Sequence, residues 1–352
     1  MNYKIFGSRS GLRVSELALG AGTFGTRWGY GAQPDEAKKI FDRYIDLGGN
    51  FIDTADGYQF GESEELLGQM IGDKRNQIVL GTKYTGGGKE LLTTGNSRKN
   101  MVQSVEASLK RLKTDYIDVY WVHHSDGQTP TEEIMRGLDD LVRAGKIVYG
   151  AFSNFPAWRI ANASLMADLK NFAPLIAIQI EYNLIERSAD RELLPMAEAH
   201  GLGVAFWSPV AGGSLTGKYR NQANQQNTRK QEWNGFLLKD ETGERETAIL
   251  DTLEQIAGDV NAKVGHVALA WLRQKHQHTS LSTVTILGAK NVQQLDDNVA
   301  SLNVKLTDEQ MERLNQVSQI ALGSPHQMIA ETQAKMLFGA ASGLVELKHP
   351  VA

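Results

Sequence analysis

The 352-residue chain contains no cysteine. That excludes disulfides, thiolate metal centres, Fe–S clusters and a cysteine nucleophile. The absence fits a reducing compartment, although disulfide-free proteins are also secreted. Charge of one sign is also missing: the formal net charge is −4, too little basic field to gather nucleic acid or anionic lipid. No apolar run approaches the length of a bilayer span, and stretches such as Leu175 to Ile180 are far too short. Met1 to Lys4 lack the basic-then-apolar start of a signal peptide. What is present is 41% hydrophobic residues and 35 glycines, in a chain long enough to bury a sizeable core. The expectation is a soluble, cytoplasmic protein with residues 1–352 forming a single domain.

Short β-branched or aromatic runs alternate with longer segments of helical spacing. The runs are Leu17–Gly20, Asn50–Thr54, Ile78–Lys83, Ile117–His123, Val148–Asn154, Leu175–Tyr182, Gly203–Pro209 and Val284–Gly288. Helical spacing covers Pro34–Leu47, Glu64–Ile71, Arg98–Leu112, Thr131–Ala144, Ala157–Leu169, Leu193–Ala199, Glu246–Gln274 and Asn291–Leu302. Strands apolar throughout, each followed by a helix, predict a parallel sheet covered by helices. Eight such units predict a closed (β/α)₈ barrel, here a TIM barrel, with its core at about residues 17–302. An open doubly wound sheet is the rival. Its Gly-x-Gly-x-x-Gly signal is only half met, because Phe24 and Gly25 lead to Arg27 and Trp28 and not into an amphipathic helix. Tyr3–Phe6 and Arg13–Ser15 read as a hairpin able to plug one barrel end. The polar stretch Tyr219–Glu244 reads as a lid or mobile loop. Leu306–Ser318 reads as a further helix with Thr307 as its N-cap. A C-terminal extension of about 303–352 includes Met328, Met336, Leu337 and Phe338, a tail able to fold over the barrel mouth or meet another subunit.

All strands of a parallel barrel end on one face, where loops carry the chemistry. The second run ends in Asp53, with Tyr58 on the following loop. The third ends in Lys83, the fourth in His123 and the fifth in Ser153-Asn154. The sixth carries Gln179, and the seventh ends in Trp207-Ser208. Taken alone, Asp53 reads as a loop cap, and Tyr58 as a surface or packing residue. Lys83 is harder to dismiss, because an unpaired buried ammonium is costly and Asp53 on the next strand is its natural partner. The convergence on one rim carries the argument.

A phenol titrates near 10, and the Lys83 ammonium favours its phenolate and so is expected to lower that value. Tyr58 then becomes a usable proton donor, Asp53 holds Lys83 charged, and His123 can fix a carbonyl oxygen. Carbonyl reduction also needs a hydride, which no side chain supplies, so a nicotinamide cofactor is implied. Ser153, Asn154 and Gln179 offer hydrogen bonds to its carboxamide, and Trp207 a face for its ring. The string Ser208-Pro209-Val210-Ala211-Gly212-Gly213-Ser214-Leu215-Thr216-Gly217-Lys218 suits a pyrophosphate. Gly288-Ala289-Lys290 precedes a helix start, an anion site, and Lys290 can pair with a 2′-phosphate, which favours NADPH over NADH. Ordinary loop punctuation stays open for these glycines.

These strings resemble the aldo-keto reductase superfamily. Asp53-Thr54-Ala55-Asp56-Gly57-Tyr58 through Gly61-Glu62-Ser63-Glu64 resembles its first signature, and Leu80-Gly81-Thr82-Lys83 the strand carrying its lysine. Asp118 through Asp126 resembles its histidine segment and places that histidine at His123. Phe152-Ser153-Asn154, Gln179 with Tyr182-Asn183, and Trp207 through Lys218 resemble later strand ends. Ile286 through Lys290, with Gln294, Asp297 and Asn298, resembles the adenosine-binding end. The likeness spans about Leu17 to Leu302 and looks more like the bacterial and potassium-channel β-subunit-like branches than the mammalian aldose reductases. It implies reversible reduction of an aldehyde or ketone with NADPH, with Tyr58 as proton donor aided by Asp53, Lys83 and His123. It counts Gly22, Thr23 and Phe24 among the cofactor residues, and Trp28, Tyr84 and Trp121 in the substrate pocket. Leu287 stands where many members carry proline, and Lys290 where many carry arginine; these bear on the choice between NADPH and NADH.

Other functions fit the same residues. One is a cofactor-holding regulatory subunit without catalysis. Another is a Schiff-base lyase using Lys83. A metal hydrolase using His123, His124 and Asp126 is disfavoured, since adjacent strand residues face opposite ways. The expected partner is a small carbonyl or alcohol substrate, with neither nucleic acid nor membrane. A homo-oligomer is left open.

Overall fold

In the computed structural model, residues 1–220, 241, 243–332, 336 and 339 are described. Eight parallel strands close into a barrel: β3 (Leu17–Gly20), β4 (Phe51–Asp53), β5 (Val79–Tyr84), β6 (Ile117–Val122), β7 (Ile147–Ser153), β8 (Leu175–Glu181), β9 (Gly203–Trp207) and β10 (Thr283–Gly288), with β10 pairing β3. Each run expected from the sequence is present within a residue or two. The fold is a (β/α)₈ TIM barrel.

Strand alternation decides where each side chain goes. In β5, Val79, Gly81 and Lys83 face the barrel interior, while Leu80, Thr82 and Tyr84 face the helices. Both faces are buried, which is why the strand reads as nearly continuous apolar sequence. The interior is filled by Val14, Ala18, Phe51, Trp121, Ala151, Ala177, Ala205 and Val284. Antiparallel β1 (Tyr3–Ile5) and β2 (Arg13–Ser15) form the expected hairpin. Its Phe6 enters the interior against Phe51 and Trp121, with ring centroids 5.5 and 6.5 Å away. The hairpin therefore plugs the end opposite the strand C-termini.

The outer ring begins with α1 (Pro34–Asp46). It has proline in its first turn, Asp35 and Glu36 at its positive end, and a buried face of Ala37, Ile40, Phe41 and Tyr44. It continues with α2 (Glu62–Met70), α3 (Arg98–Leu112), α4 (Thr131–Arg143), α5 (Ala157–Lys170) and α6 (Leu193–Ala199). The long helical segment expected over 246–274 is two helices, α7 (Glu244–Asp259) and α8 (Val264–Gln274). Asn261 adopts a left-handed φ of 49°, and Asn261 and Ala262 donate back to Gly258 and Ala257. That pair of bonds is a Schellman stop, and asparagine tolerates the left-handed position without glycine. Helix α9 (Val292–Ala300) follows β10, and α10 (Asp308–Val317) starts with the expected Thr307 cap, closed reciprocally by Gln310.

Most of the expected lid over 219–244 lies outside the described residues, as do Leu337 and Phe338. The nearer tail is held beside the segment that follows β8: Arg187 donates to Ser318 and Arg191 to Ala321. Its short helix α11 (His326–Thr332) leaves Met328 exposed, and Met336 is exposed too. No helix among the described residues is long and apolar enough to cross a membrane.

Candidate active site

Parallel pairing in register sets the chemistry. Asp53 is paired with Gly81 across the β4–β5 seam, so Lys83, two residues on and on the same face, stands one pleat above it. The Lys83 ammonium is fully buried and donates to Asp53 Oδ2 at 2.5 Å, the Thr54 carbonyl at 2.7 Å and the Tyr58 hydroxyl at 3.3 Å. All three of its protons are committed. Gln179 on β8 donates to the other Asp53 oxygen at 2.9 Å. Burial opposes the charge on Lys83, and Asp53 with Tyr58 outweighs it, so the ammonium is held above the ordinary lysine range. A carboxylate accepting from both Lys83 and Gln179 completes the ion pair.

Tyr58 sits in a tight turn (Tyr58–Gly61) that leaves β4 and enters α2. Burial pushes its phenol up from the usual value, and Lys83 pulls it back only in part. The lowering expected from Lys83 is thus present but overridden by desolvation, and the free protein holds the phenol fully protonated at neutral pH. His123 lies edge-on to Tyr58, centroids 5.8 Å apart. Burial, then the Lys83 and His124 charges, hold its imidazole well below the usual value, so it is neutral. Strand β6 ends at Val122, one residue earlier than expected, and alternation lapses there. His123 and His124 stack at 4.2 Å instead of facing opposite ways. Asp126 turns away to accept from Asn96, Gln128 and Thr129. Among the described residues no group of three or more His, Asp or Glu is placed to hold a metal.

A cavity of about 530 Å³ runs from Asp53 and Tyr58 to the start of α9. Of the residues expected to hold a cofactor, Gly22, Thr23, Gln179, Trp207, Ser208, Pro209, Val210, Gly212, Lys218, Gly288, Lys290, Gln294, Asp297 and Asn298 line it. Phe24, Leu215, Ser153, Asn154 and Gly217 do not. Phe24 and Leu215 are core residues. The Asn154 amide is spent joining strand ends: it donates to the His123 carbonyl and Ser153, and accepts from Trp207 Nε1 at 3.1 Å. Gly217 closes the loop's last turn with a φ of 73°.

Of the expected substrate pocket, Trp28 lies against Tyr58, centroids 6.0 Å apart. Tyr84 and Trp121 are fully buried away from the cavity. Tyr84 faces the helices, stacked on Tyr120 with its hydroxyl on the Asn96 carbonyl, and Trp121 fills the barrel interior against Phe6. Strand parity explains Tyr84, which faces outward, while Trp121 faces inward and is fully buried in the interior cluster. The wall also holds Thr216 and Leu287, from strings the sequence had singled out, and Tyr30 and Leu269, which sequence reasoning missed. Tyr30 stands in a glycine-studded loop that carried a signal. Leu269 on α8 carried none, because its spacing is that of an ordinary buried face.

The far end differs from expectation as well. Two amides at the start of α9 are engaged, Val292 donating to Glu36 and Gln294 to Asn291, and the preceding Lys290 amide donates to Gln294. These side chains narrow the anion site expected at the helix N-terminus, and Lys290 adds a cation at that end of the wall.

A cavity walled by a lysine-backed tyrosine at one end and a cationic rim at the other fits a long anionic dinucleotide. The profile of the Aldo/keto reductase family matches residues 16–319. The chain belongs to this family. An aldo/keto reductase is an oxidoreductase of the carbonyl–alcohol couple. The chain is 34% identical over 342 residues to an aryl-alcohol dehydrogenase [NADP(+)] of Phanerodontia chrysosporium, covering 91% of this chain and 87% of that one. It is 32% identical to a norsolorinic acid reductase of Aspergillus flavus, covering 94% and 84%. It is 34% identical to a probable voltage-gated potassium channel subunit beta of Arabidopsis thaliana, covering 91% and 97%. In this aldo/keto reductase, the buried Lys83 and Tyr58 both lie within the matched range.

Proposed function

We propose that this aldo/keto reductase reversibly reduces an aldehyde or ketone with NADPH in preference to NADH, with Tyr58 as the proton donor. The observation that carries the reading is the Asp53–Lys83–Tyr58 chain of contacts ending at the cavity wall. A nicotinamide dinucleotide bound in the cavity supplies the hydride. Trp207 and Gln179 would flank its ring end, the 208–218 loop with Lys218 would meet its phosphates, and Lys290 a 2′-phosphate.

The protein's own groups handle the oxygen. Neutral His123 keeps an N–H to donate to the carbonyl oxygen, fixing its position beside the phenol. As charge grows on that oxygen, the Tyr58 O–H gives up its proton. Lys83 stabilises the resulting phenolate because its ammonium already points at the same oxygen. Asp53 keeps Lys83 charged throughout. The same contacts disfavour a Schiff-base role, since an ammonium donating three hydrogen bonds has no lone pair for attack.

The test uses NADPH deuterated at the transferred position and a panel of aromatic and aliphatic aldehydes. Deuterium on the carbinol carbon of the product, with faster turnover than with labelled NADH, supports the reading. No oxidation of either cofactor across the panel overturns it.

A further inference from the structure

Gln59 is the residue after Tyr58, fully buried, and nothing in the chemistry above uses it. It and Phe60 both adopt left-handed backbone, with φ of 52° and 54°. Two consecutive non-glycine residues in this sparsely populated region persist only where their surroundings over-determine them. The surroundings here are the loop between β3 and α1. The Gln59 amide oxygen accepts from Trp28 N at 2.8 Å, and its NH₂ donates to the Tyr30 carbonyl at 2.8 Å and the Gly22 carbonyl at 3.4 Å. One side chain thus stitches three points of one loop.

That loop bridges the cavity. Its Trp28 ring meets Tyr58, and two residues on, its Tyr30 ring lies under the Lys290 ammonium, 4.7 Å from the centroid. Thr23 ties the near end of the loop to the Ala289 carbonyl at 2.8 Å. Gly25 and Gly31 close it on itself, and a Cβ at Gly31 would come within 2.0 Å of the Gly25 carbonyl.

We propose that Gln59 is a positioning residue that clamps the 22–31 loop as a strap across the cavity, with Trp28 on Tyr58 at one end and Tyr30 on Lys290 at the other, and that release of this strap limits how fast the dinucleotide leaves. The dinucleotide part rests on the reductase reading; the clamp itself does not. Gln59→Glu keeps the acceptor for Trp28 N but sets an oxygen against the Tyr30 and Gly22 carbonyls, so it opens one end only. Gln59→Ala opens both.

The experiment follows two signals in the full-length protein. In the cofactor-free state, hydrogen exchange at the Trp28 amide speeds up about tenfold in Gln59→Ala, the scale of one lost buried hydrogen bond. It stays slow in Gln59→Glu, with barrel-strand amides unchanged in both. In stopped-flow displacement, NADPH leaves about tenfold faster from Gln59→Ala, Gln59→Glu and Tyr30→Ala. Unchanged Trp28 exchange in Gln59→Ala overturns the clamp. Unchanged NADPH release in Gln59→Glu and Tyr30→Ala, with wild type binding normally, overturns the strap. If wild type binds no NADPH, the reductase reading and the strap's role in release fall together, and the exchange signal still decides the clamp. Tyr30→Ala changes only a half-buried ring, so it remains informative if Gln59→Ala does not fold.

Discussion

The two ends of the cavity are built on different principles. At the Tyr58 end, proposed as the catalytic one, Asp53 and Lys83 are buried charges fixed by strand register, with every donor of Lys83 committed. At the far end, Lys290, Asp297 and Asn298 stand on a loop and a surface helix, and Asp297 is shared by Lys263 and His266. A buried pair tolerates no loss of a partner, because the remaining charge is stranded in low dielectric. Exposed charges are cushioned by water and salt, so removing one shifts a preference and leaves the fold alone. Mutations at the two ends should therefore differ in kind as well as in size.

Lys83→Met breaks the buried end most severely. It strands Asp53, so a stability loss of about 3–5 kcal/mol is expected in denaturant titration, together with loss of turnover. Tyr58→Phe keeps the ion pair and removes only the acid. It should lower kcat by roughly two to four decades while NADPH affinity stays nearly unchanged. A Tyr58→Phe enzyme with wild-type turnover would remove the phenol from the reaction. A Lys83→Met enzyme as stable as wild type would show that the buried end is not organised around its ion pair.

The same contrast sets what was legible in the sequence. The strands and the polar residues closing them could be read because burial on both faces writes uninterrupted apolar runs, and a lysine at the end of such a run must find a partner. Asp53, Lys83 and Tyr58 were singled out for that reason, and the structure brings them together. Tyr84 and Trp121 look equally plausible in one dimension. Only the parity and depth of each position shows that one packs on helices and the other fills the barrel. The break at Asn261 was missed because a Schellman stop without glycine leaves no strong mark, and the contact from Glu36 to Val292 was invisible because it joins residues 256 positions apart.

Asp56 tests whether burial alone, without a direct ion pair, shapes the catalytic end. It is buried against Gly87, and its Oδ1 has no hydrogen-bond partner among the described residues. Burial, then the nearby Glu64 carboxylate, push its carboxyl up to about 7. The folded state therefore holds a proton that the unfolded chain releases near 4, and stability falls as pH rises from about 4 to about 7. Asp56→Asn removes that titration. Its melting temperature should exceed that of wild type at pH 8, by an amount equivalent to at most about 4 kcal/mol, and the advantage should vanish towards pH 4. An advantage that is the same at both pH values would place the cause in packing and not in the buried charge.

The smallest effect belongs to the far end. Lys290→Met removes the cation proposed to meet a 2′-phosphate, while the Val292 and Gln294 amides of α9 stay bonded to Glu36 and Asn291. Binding of NADP⁺ should weaken about tenfold more than binding of NAD⁺, the scale of one charge-assisted contact, while the lost Tyr30–Lys290 contact affects both dinucleotides alike. Melting behaviour should change little, because losing this half-buried cation strands no buried charge. Salt sharpens the comparison: raising ionic strength should erode the NADP⁺ preference of the wild type towards that of Lys290→Met, while leaving the Tyr58→Phe defect untouched. If salt weakened both equally, the two ends would share one electrostatic environment, and the division between a dry catalytic end and a wet recognition end would fail.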